Sequence, residues 1–335
     1  MTPGKISRID QIPFLDSTQL GRSRFVPCLT FHAGGVWRIW LQIDEPNQFI
    51  EISGTPAEAH YWAAAPEAPE DFTTVFLNFI AQHSYQPGLT RSFSGFNDDL
   101  LNLSAALNKL EVLHRENSPG GARMAGTELE GILATCRSLF DLLQEMLRCI
   151  WANIDLMDKS IHKNGLPRSF ADVVMKGGEV RTVDALRAAY GLPPEIAEVY
   201  VRHTPVFLKL RQFRDDTIHR AKSLPHIYVG ETDFLITRAF GPFEVPNIWR
   251  ENEIQPNDLG PLRPVLAMMI QHVLRVFDDF AQALVRMIRF PPPLVPDMAF
   301  YSRGYFHAGF LQAMEDANAR ILEGRGLMGP PPLSD

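Results

Sequence analysis

Apolar residues along this chain follow two different repeats, and the change between them falls near residue 96. In Val36-Trp-Arg-Ile-Trp-Leu-Gln-Ile43, the side chains of Trp37, Ile39, Leu41 and Ile43 share one face at period two, the pattern of a half-buried strand. Asp-Glu-Pro-Asn at 44–47 reads as a turn and Phe49 to Ile52 as the returning strand. Proline and alanine dominate 55–69, and 71–83 fits a helix or a strand equally well. Residues 1–95 therefore predict a small β or α+β element.

Beyond residue 96 the apolar steps become three and four. Asn97-Asp-Asp-Leu opens a helix to about Glu116, which Asn117-Ser-Pro-Gly-Gly121 closes. A long helix from about Arg123 to Lys159 carries two stripes. One is Ile132, Cys136, Phe140, Leu143, Leu147, Ile150 and Ile154; the other is Leu129, Leu139, Leu142, Met146 and Cys149. So wide an apolar surface suggests the central helix of a bundle. Shorter helical pieces separated by Gly and Pro occupy 164–193. A helix then runs from Pro193-Pro-Glu195 to about Ala221 on the stripe Ile196, Val199, Val206, Leu210 and Phe213. Pro205 inside it removes one backbone donor and predicts a kink. Ser223-Leu-Pro225 stops it, and His226 to Gly230 with Phe234 to Thr237 predict a short hairpin. The last long helix spans about Leu259 to Phe290, and a short helix over 302–323 precedes a Gly/Pro-rich tail that reads as flexible. The expected fold is mainly α: a bundle of four to six helices over 96–290, the small element of 1–95 before it, and a short helix with its tail over 291–335.

Composition adds few constraints. With 45% hydrophobic and 21% charged residues, the 335-residue chain has an ordinary globular balance. A formal net charge of -7 disfavours a surface built for sequence-independent nucleic-acid binding. It leaves room for a small basic cleft, and Arg211, Arg214, Arg220 and Lys222 lie close together in sequence. Cys28, Cys136 and Cys149 form no CxxC or Cys/His cluster, so neither zinc nor a disulfide framework is indicated, and no cofactor motif is present. The N-terminus lacks the apolar core of a signal peptide, and Gln271, His272 and Arg275 interrupt the most apolar helix. These features predict a cytoplasmic protein without a membrane span.

Chemistry concentrates in LKLRQFRDDTIHRAKSLPH, residues 208–226. Within it, Arg214-Asp-Asp-Thr-Ile-His219 resembles the Arg-x4–6-His motif of the HEPN superfamily, helical-bundle proteins that include many metal-independent RNases and toxins. The resemblance covers roughly 96–290. It implies attack by an RNA 2′-hydroxyl on the adjacent phosphate, giving a 2′,3′-cyclic phosphate. His219 would move the proton, Arg214 would hold the phosphate and the charge that grows on it, and Asp215 would orient the imidazole. Arg211 and Arg220 would support the site. The resemblance also implies a homodimer with the site at its interface, and, as for the toxins, a neutralising protein partner. On a straight helix a five-residue step leaves Arg214 and His219 about 140° apart, so they converge only where the helix frays or a partner completes the site.

The same residues have a plainer reading. Arg211, Arg214, Asp215, Asp216 and Arg220 fit a solvated helix end with an Arg211–Asp215 pair, and His219 fits a favourable cation near the helix C-terminus. The chain would then be a catalytically inactive module binding a protein or small ligand, or a structural oligomer built on the stripes of 129–154 and 262–287. On the long helix, Glu128, Glu130, Arg137, Asp141 and Glu145 either line a polar cleft facing Arg214 or form a solvated face with an Arg137–Asp141 pair. The aromatic and basic run Tyr301 to His307 either stacks on bases or packs a C-terminal helix. Gly34-Gly35 and Gly177-Gly178 read as turns, and His203 and His272 as core histidines.

Overall fold

Alternating segments become strands and the three-four segments become helices, but the strands assemble from both ends of the chain. The computed structural model describes residues 6–21, 23–45, 47–117, 119–216, 225–239, 241–243 and 246–327. In chain order the strands are β1 (Ile6–Arg8), β2 (Thr30–Ala33), β3 (Val36–Gln42), β4 (Gln48–Ile52), β5 (Ala59–Ala63), β6 (Met175–Lys176), β7 (Glu179–Val180), β8 (Ile227–Val229), β9 (Phe234–Thr237), β10 (Leu259–Pro261) and β11 (Ala299–Arg303). The helices are α1 (Val75–Phe79), α2 (Thr90–Glu116), α3 (Gly121–Ala152), α4 (Phe170–Val174), α5 (Val183–Tyr190), α6 (Pro194–Arg214), α7 (Leu262–Met287) and α8 (Ala308–Leu322). Two compact units result: 1–91 with 277–306, and 92–276 with 307–335.

The first unit is organised by a six-stranded mixed sheet in the order β1-β4-β3-β2-β5-β11. All neighbours are antiparallel except β2 and β5, which run parallel through Phe31 opposite Trp62. Phe31, Trp40, Phe49, Trp62 and Phe300 share one face and are buried. Trp37, Tyr61 and Tyr301 cluster on the other face, where Arg303 lies over the Trp37 ring and the Tyr61 hydroxyl donates to Asp71 at 2.6 Å. Strand β3 thus buries a tryptophan on each face, while Leu41, which the alternating pattern predicts to point inward, is exposed.

This sheet overturns the expectation of a mainly α bundle with a small N-terminal β element. The chain is 51% helical and 16% strand, with the six-stranded sheet, two small sheets and eight helices among the described residues. Five of its strands come from residues 6–63, and β11 adds the sixth at one edge, pairing Tyr301 with Tyr61 and Phe300 with Trp62. Five residues leave little periodic signal, and their hydrogen-bond partners lie more than two hundred positions earlier, so no local pattern announces them.

In the second unit most of both α3 stripes is buried: Leu129, Ile132, Cys136, Leu139, Phe140, Leu143, Met146 and Leu147 are all inaccessible or nearly so, while Leu142 and Cys149 are half-buried and Ile154 lies beyond the helix. The helix ends at Ala152, with Asn153 as its cap, so 153–159 are not part of it. Helix α2 starts at Thr90, earlier than the Asn97 signal, and Gly95 within it allows close packing against Leu142 of α3. Helix α6 runs without a break through Pro205. Strands β8, β9 and β10 form a three-stranded sheet, and β6 with β7 a two-stranded one. The Gly/Pro-rich tail beyond 327 lies outside the described residues.

Candidate functional site

The motif arginine stands at a structural transition. Arg214 is the last residue of α6 proper, and the backbone widens into a π-type turn at 215–216. Such local widening of a helix often accompanies a functional site. Arg211 and Arg214 are three positions apart and so lie on one helix face. Arg214 is exposed. Arg211 is tied on two sides, with Nε 3.8 Å from Asp215 Oδ2 and Nη1 donating to Met175 Sδ at 3.5 Å.

The β6–β7 hairpin lies beside this end of α6. Its turn residues Gly177 and Gly178 have φ of 61° and 91°, the left-handed backbone that a two-residue hairpin turn demands and that glycine adopts without strain. Met175 pairs with Val180 and Lys176 with Glu179, leaving the Lys176 side chain exposed at the cleft.

The third wall is α3, through Arg137. Phe140, Phe170 and Phe207 form a buried triangle with ring centroids 4.8–5.3 Å apart. The Arg137 guanidinium lies over Phe207, 4.6 Å from its centroid. Arg137 Nη1 donates to Asp141 Oδ2 at 2.8 Å, while Asp141 Oδ1 accepts the backbone N–H of Phe170 at 3.3 Å, at the first turn of α4. One carboxylate therefore holds the guanidinium and a helix start together.

These elements enclose a cleft of about 460 Å³. Arg137, Lys176, Arg211 and Arg214 line it, against Asp172 and Asp215. Four cations line it against two carboxylates, and Asp141, paired with Arg137, adds a third, which leaves a local positive excess of one in a chain of net charge -7. Of the site residues that the sequence motif points to, Arg211, Arg214 and Asp215 come together here. His219 and Arg220 lie outside the described residues. Of the charged positions on α3, Arg137 joins the cleft, whereas Glu128 pairs with Lys109 and Glu145 with Arg148. Lys176 belongs to no motif, although Met-Lys-Gly-Gly-Glu-Val carries a hairpin signature in its two glycines.

A second cavity of about 400 Å³ in the same unit is lined by Glu111, His114, Asp233, Arg263, Gln312 and Asp316, among others. Its polar groups are largely engaged. Glu111 pairs with Arg263 at 3.2 Å, His114 Nε2 contacts the Gly230 carbonyl at 3.0 Å, and Asp233 accepts the backbone N–H of Arg263 at 3.1 Å at the start of α7. Burial pushes the Asp233 carboxyl above the usual range, against the hydrogen bonds it accepts. Burial also acts to raise Asp316, but hydrogen bonds from Arg320 and Arg250 outweigh it and hold that carboxyl low.

Elsewhere, burial pushes the Cys28 and Cys136 thiols up to about 12, which removes them from nucleophilic chemistry near neutral pH. The Tyr301 to Arg303 stretch packs within the sheet. His203 is buried with its Nδ1 3.4 Å from His272 Nε2. Among the described residues no group of three or more His, Cys, Asp and Glu is placed to hold a metal ion, and no helix is long and apolar enough to cross a membrane. Comparison with protein-family models, with curated proteins and with solved structures finds no match.

Proposed function

We propose that the Arg214 cleft binds the backbone of RNA and that the chain is a metal-independent endoribonuclease acting through Arg214 and His219. The observation that carries this reading is the convergence of Arg137, Lys176, Arg211 and Arg214 on one cleft of an otherwise acidic chain. A phosphodiester is the anion such a group of guanidinium and ammonium donors suits. The Arg-x4-His spacing supports a reaction rather than binding alone. In it, the 2′-hydroxyl oxygen attacks phosphorus as His219 accepts its proton. The bond to the 5′-oxygen breaks, and that oxygen takes up a proton as it leaves. The products are a 2′,3′-cyclic phosphate and a 5′-hydroxyl. Arg214 meets the charge growing on the non-bridging oxygens, where a preformed donor stabilises the transition state most. A homodimer would bring two such pairs together.

The test is cleavage of end-labelled RNA by purified protein in EDTA, beside folded Arg214→Ala and His219→Ala variants. Cyclic-phosphate ends from the wild type, lost in both variants, are expected. Equal inertness of all three on a broad RNA panel would reject the nuclease.

One observation favours a second reading, that of a small-ligand module: the cavity with Glu111, Asp233 and Asp316 in its wall. Arg250 and Arg320 already hold Asp316 and Arg263 holds Glu111, so a ligand carrying an amine would bind by displacing Arg263 from Glu111. A thermal-shift screen of small amines would then show stabilisation that survives His219→Ala and is lost in Glu111→Gln.

A further inference from the structure

Arg137 is a charged side chain with only 9% of its surface exposed. Burying a guanidinium is costly unless its donors find partners. Nη1 has Asp141, but Nε–H has no hydrogen-bond partner among the described residues. Arg137 lines the same cleft as Lys176, Arg211 and Arg214, with that Nε buried behind its surface. It cannot swing toward Arg214 without leaving both the Phe207 ring and Asp141. Phe207 precedes Arg211 by one turn of α6 and Arg214 by two, about 10 Å along the axis. Arg137 and Arg214 therefore reach the cleft from levels about two turns apart along α6.

We infer that Arg137 and Lys176 build a second phosphate position in the cleft, so that the site takes a single-stranded RNA segment across two of its phosphates rather than a lone nucleotide. The inference rests on the nucleic-acid reading of the cleft. Three carboxylates face this position. Asp141 is occupied by Arg137 and the α4 backbone, Asp215 lies beside Arg211, and Asp172 stands on the α4 wall. The exposed Lys176 on its hairpin offsets Asp172 and supplies a mobile ammonium, while Arg137 supplies a fixed donor.

The experiment is fluorescence anisotropy of a short labelled 2′-O-methyl oligonucleotide, which lacks the free 2′-hydroxyl and so binds without being cleaved, across a range of KCl concentrations. Lys176→Met and Arg137→Met should each weaken binding and shrink the slope of log K against log salt by roughly 0.7, the loss of one phosphate contact on a single strand. Arg137→Met leaves Asp141 without its cation. If that variant fails to fold, Lys176→Met on the exposed hairpin carries the test alone. Unchanged affinity and slope in the folded variants, or no binding by the wild type, overturns the second phosphate position even if RNA is cleaved. Reduced slopes in a protein inert toward RNA uphold the position and reject only the nuclease.

Discussion

The Arg137 guanidinium lies over the Phe207 ring at 4.6 Å, on the face of α6 that presents Arg211 one turn later and Arg214 two turns later. This contact ties the α3 cation to the motif helix, and its strength is measurable. A double-mutant cycle of Arg137→Met and Phe207→Leu in urea unfolding should give a coupling of about 2 kcal/mol, the value of a desolvated cation–π pair. Coupling indistinguishable from zero would mean that the ring only fills space beneath the guanidinium.

Glycines at two places should respond in opposite ways. Gly178, at φ 91°, carries the turn that presents Lys176. Alanine there is forced into the left-handed region at a cost of about 1–2 kcal/mol, and oligonucleotide binding should weaken with it. Gly131 lies exposed within α3, with nothing near the position of an added Cβ. Gly131→Ala should stabilise the protein by about 0.5–1 kcal/mol and leave binding unchanged, both read from urea titrations and anisotropy.

Arg320 on α8 is almost wholly buried, donating from Nη1 and Nη2 to Glu253 at 2.7 and 2.5 Å, from Nε to Asp316 at 2.7 Å, and from Nη1 to the Ile248 carbonyl at 3.0 Å. Burial acts to raise Glu253 and Asp316, and hydrogen bonds from the arginines outweigh it, so both carboxyls are held below their ordinary 4.5 and 3.8. For carboxyls depressed on folding, the stabilisation is full above those ordinary values. It is lost as pH falls through the lower folded-state ones. Arg320→Met should cost about 1.5–3 kcal/mol at neutral pH, because the partly exposed Glu253 and Asp316 lose its charged hydrogen bonds but keep those from Arg250. Its stability should also fall less steeply than that of the wild type in acid denaturation.

Asp233 illustrates the opposite sign. Its carboxylate accepts the N–H of Arg263 in the first turn of α7, yet burial raises its pKa above the ordinary 3.8. Asp233→Ala should cost about 1 kcal/mol as a lost cap, and Asp233→Asn less, since an acceptor oxygen is kept. The folded state disfavours the ionised form, so wild-type stability declines as pH rises from 3.8 through the folded value. Asp233→Asn should therefore gain on the wild type across that window, and pH-resolved melting curves would reveal a flat difference if the burial effect were absent.

Much of the cleft is legible in the sequence, but in disconnected pieces. Arg214 and its neighbours stand out by spacing, the Arg137–Asp141 pair by its i,i+4 relation, and Gly177-Gly178 as a turn. Lys176 does not, because an isolated lysine beside two glycines has no chemistry until a hairpin places it against α6. Whether α3 presents its charges to Arg214 is resolved for Arg137 alone. Glu128 and Glu145 are taken up by Lys109 and Arg148.

The sequence by itself determined the long helices α3, α6 and α7 and the strand β3. Helical hydrogen bonds close within four residues, and a face buried on one side imprints its period on the chain. Only the tertiary structure decided the six-stranded sheet, in which β11 joins β5 across more than two hundred residues, and the burial of Trp40 in place of Leu41. It alone seated Arg137 on Phe207, with Lys176, Arg211 and Arg214 around the same cleft. Strand pairing and side-chain convergence are non-local: their partners are selected by packing in space, and no short-range pattern records which residues will meet.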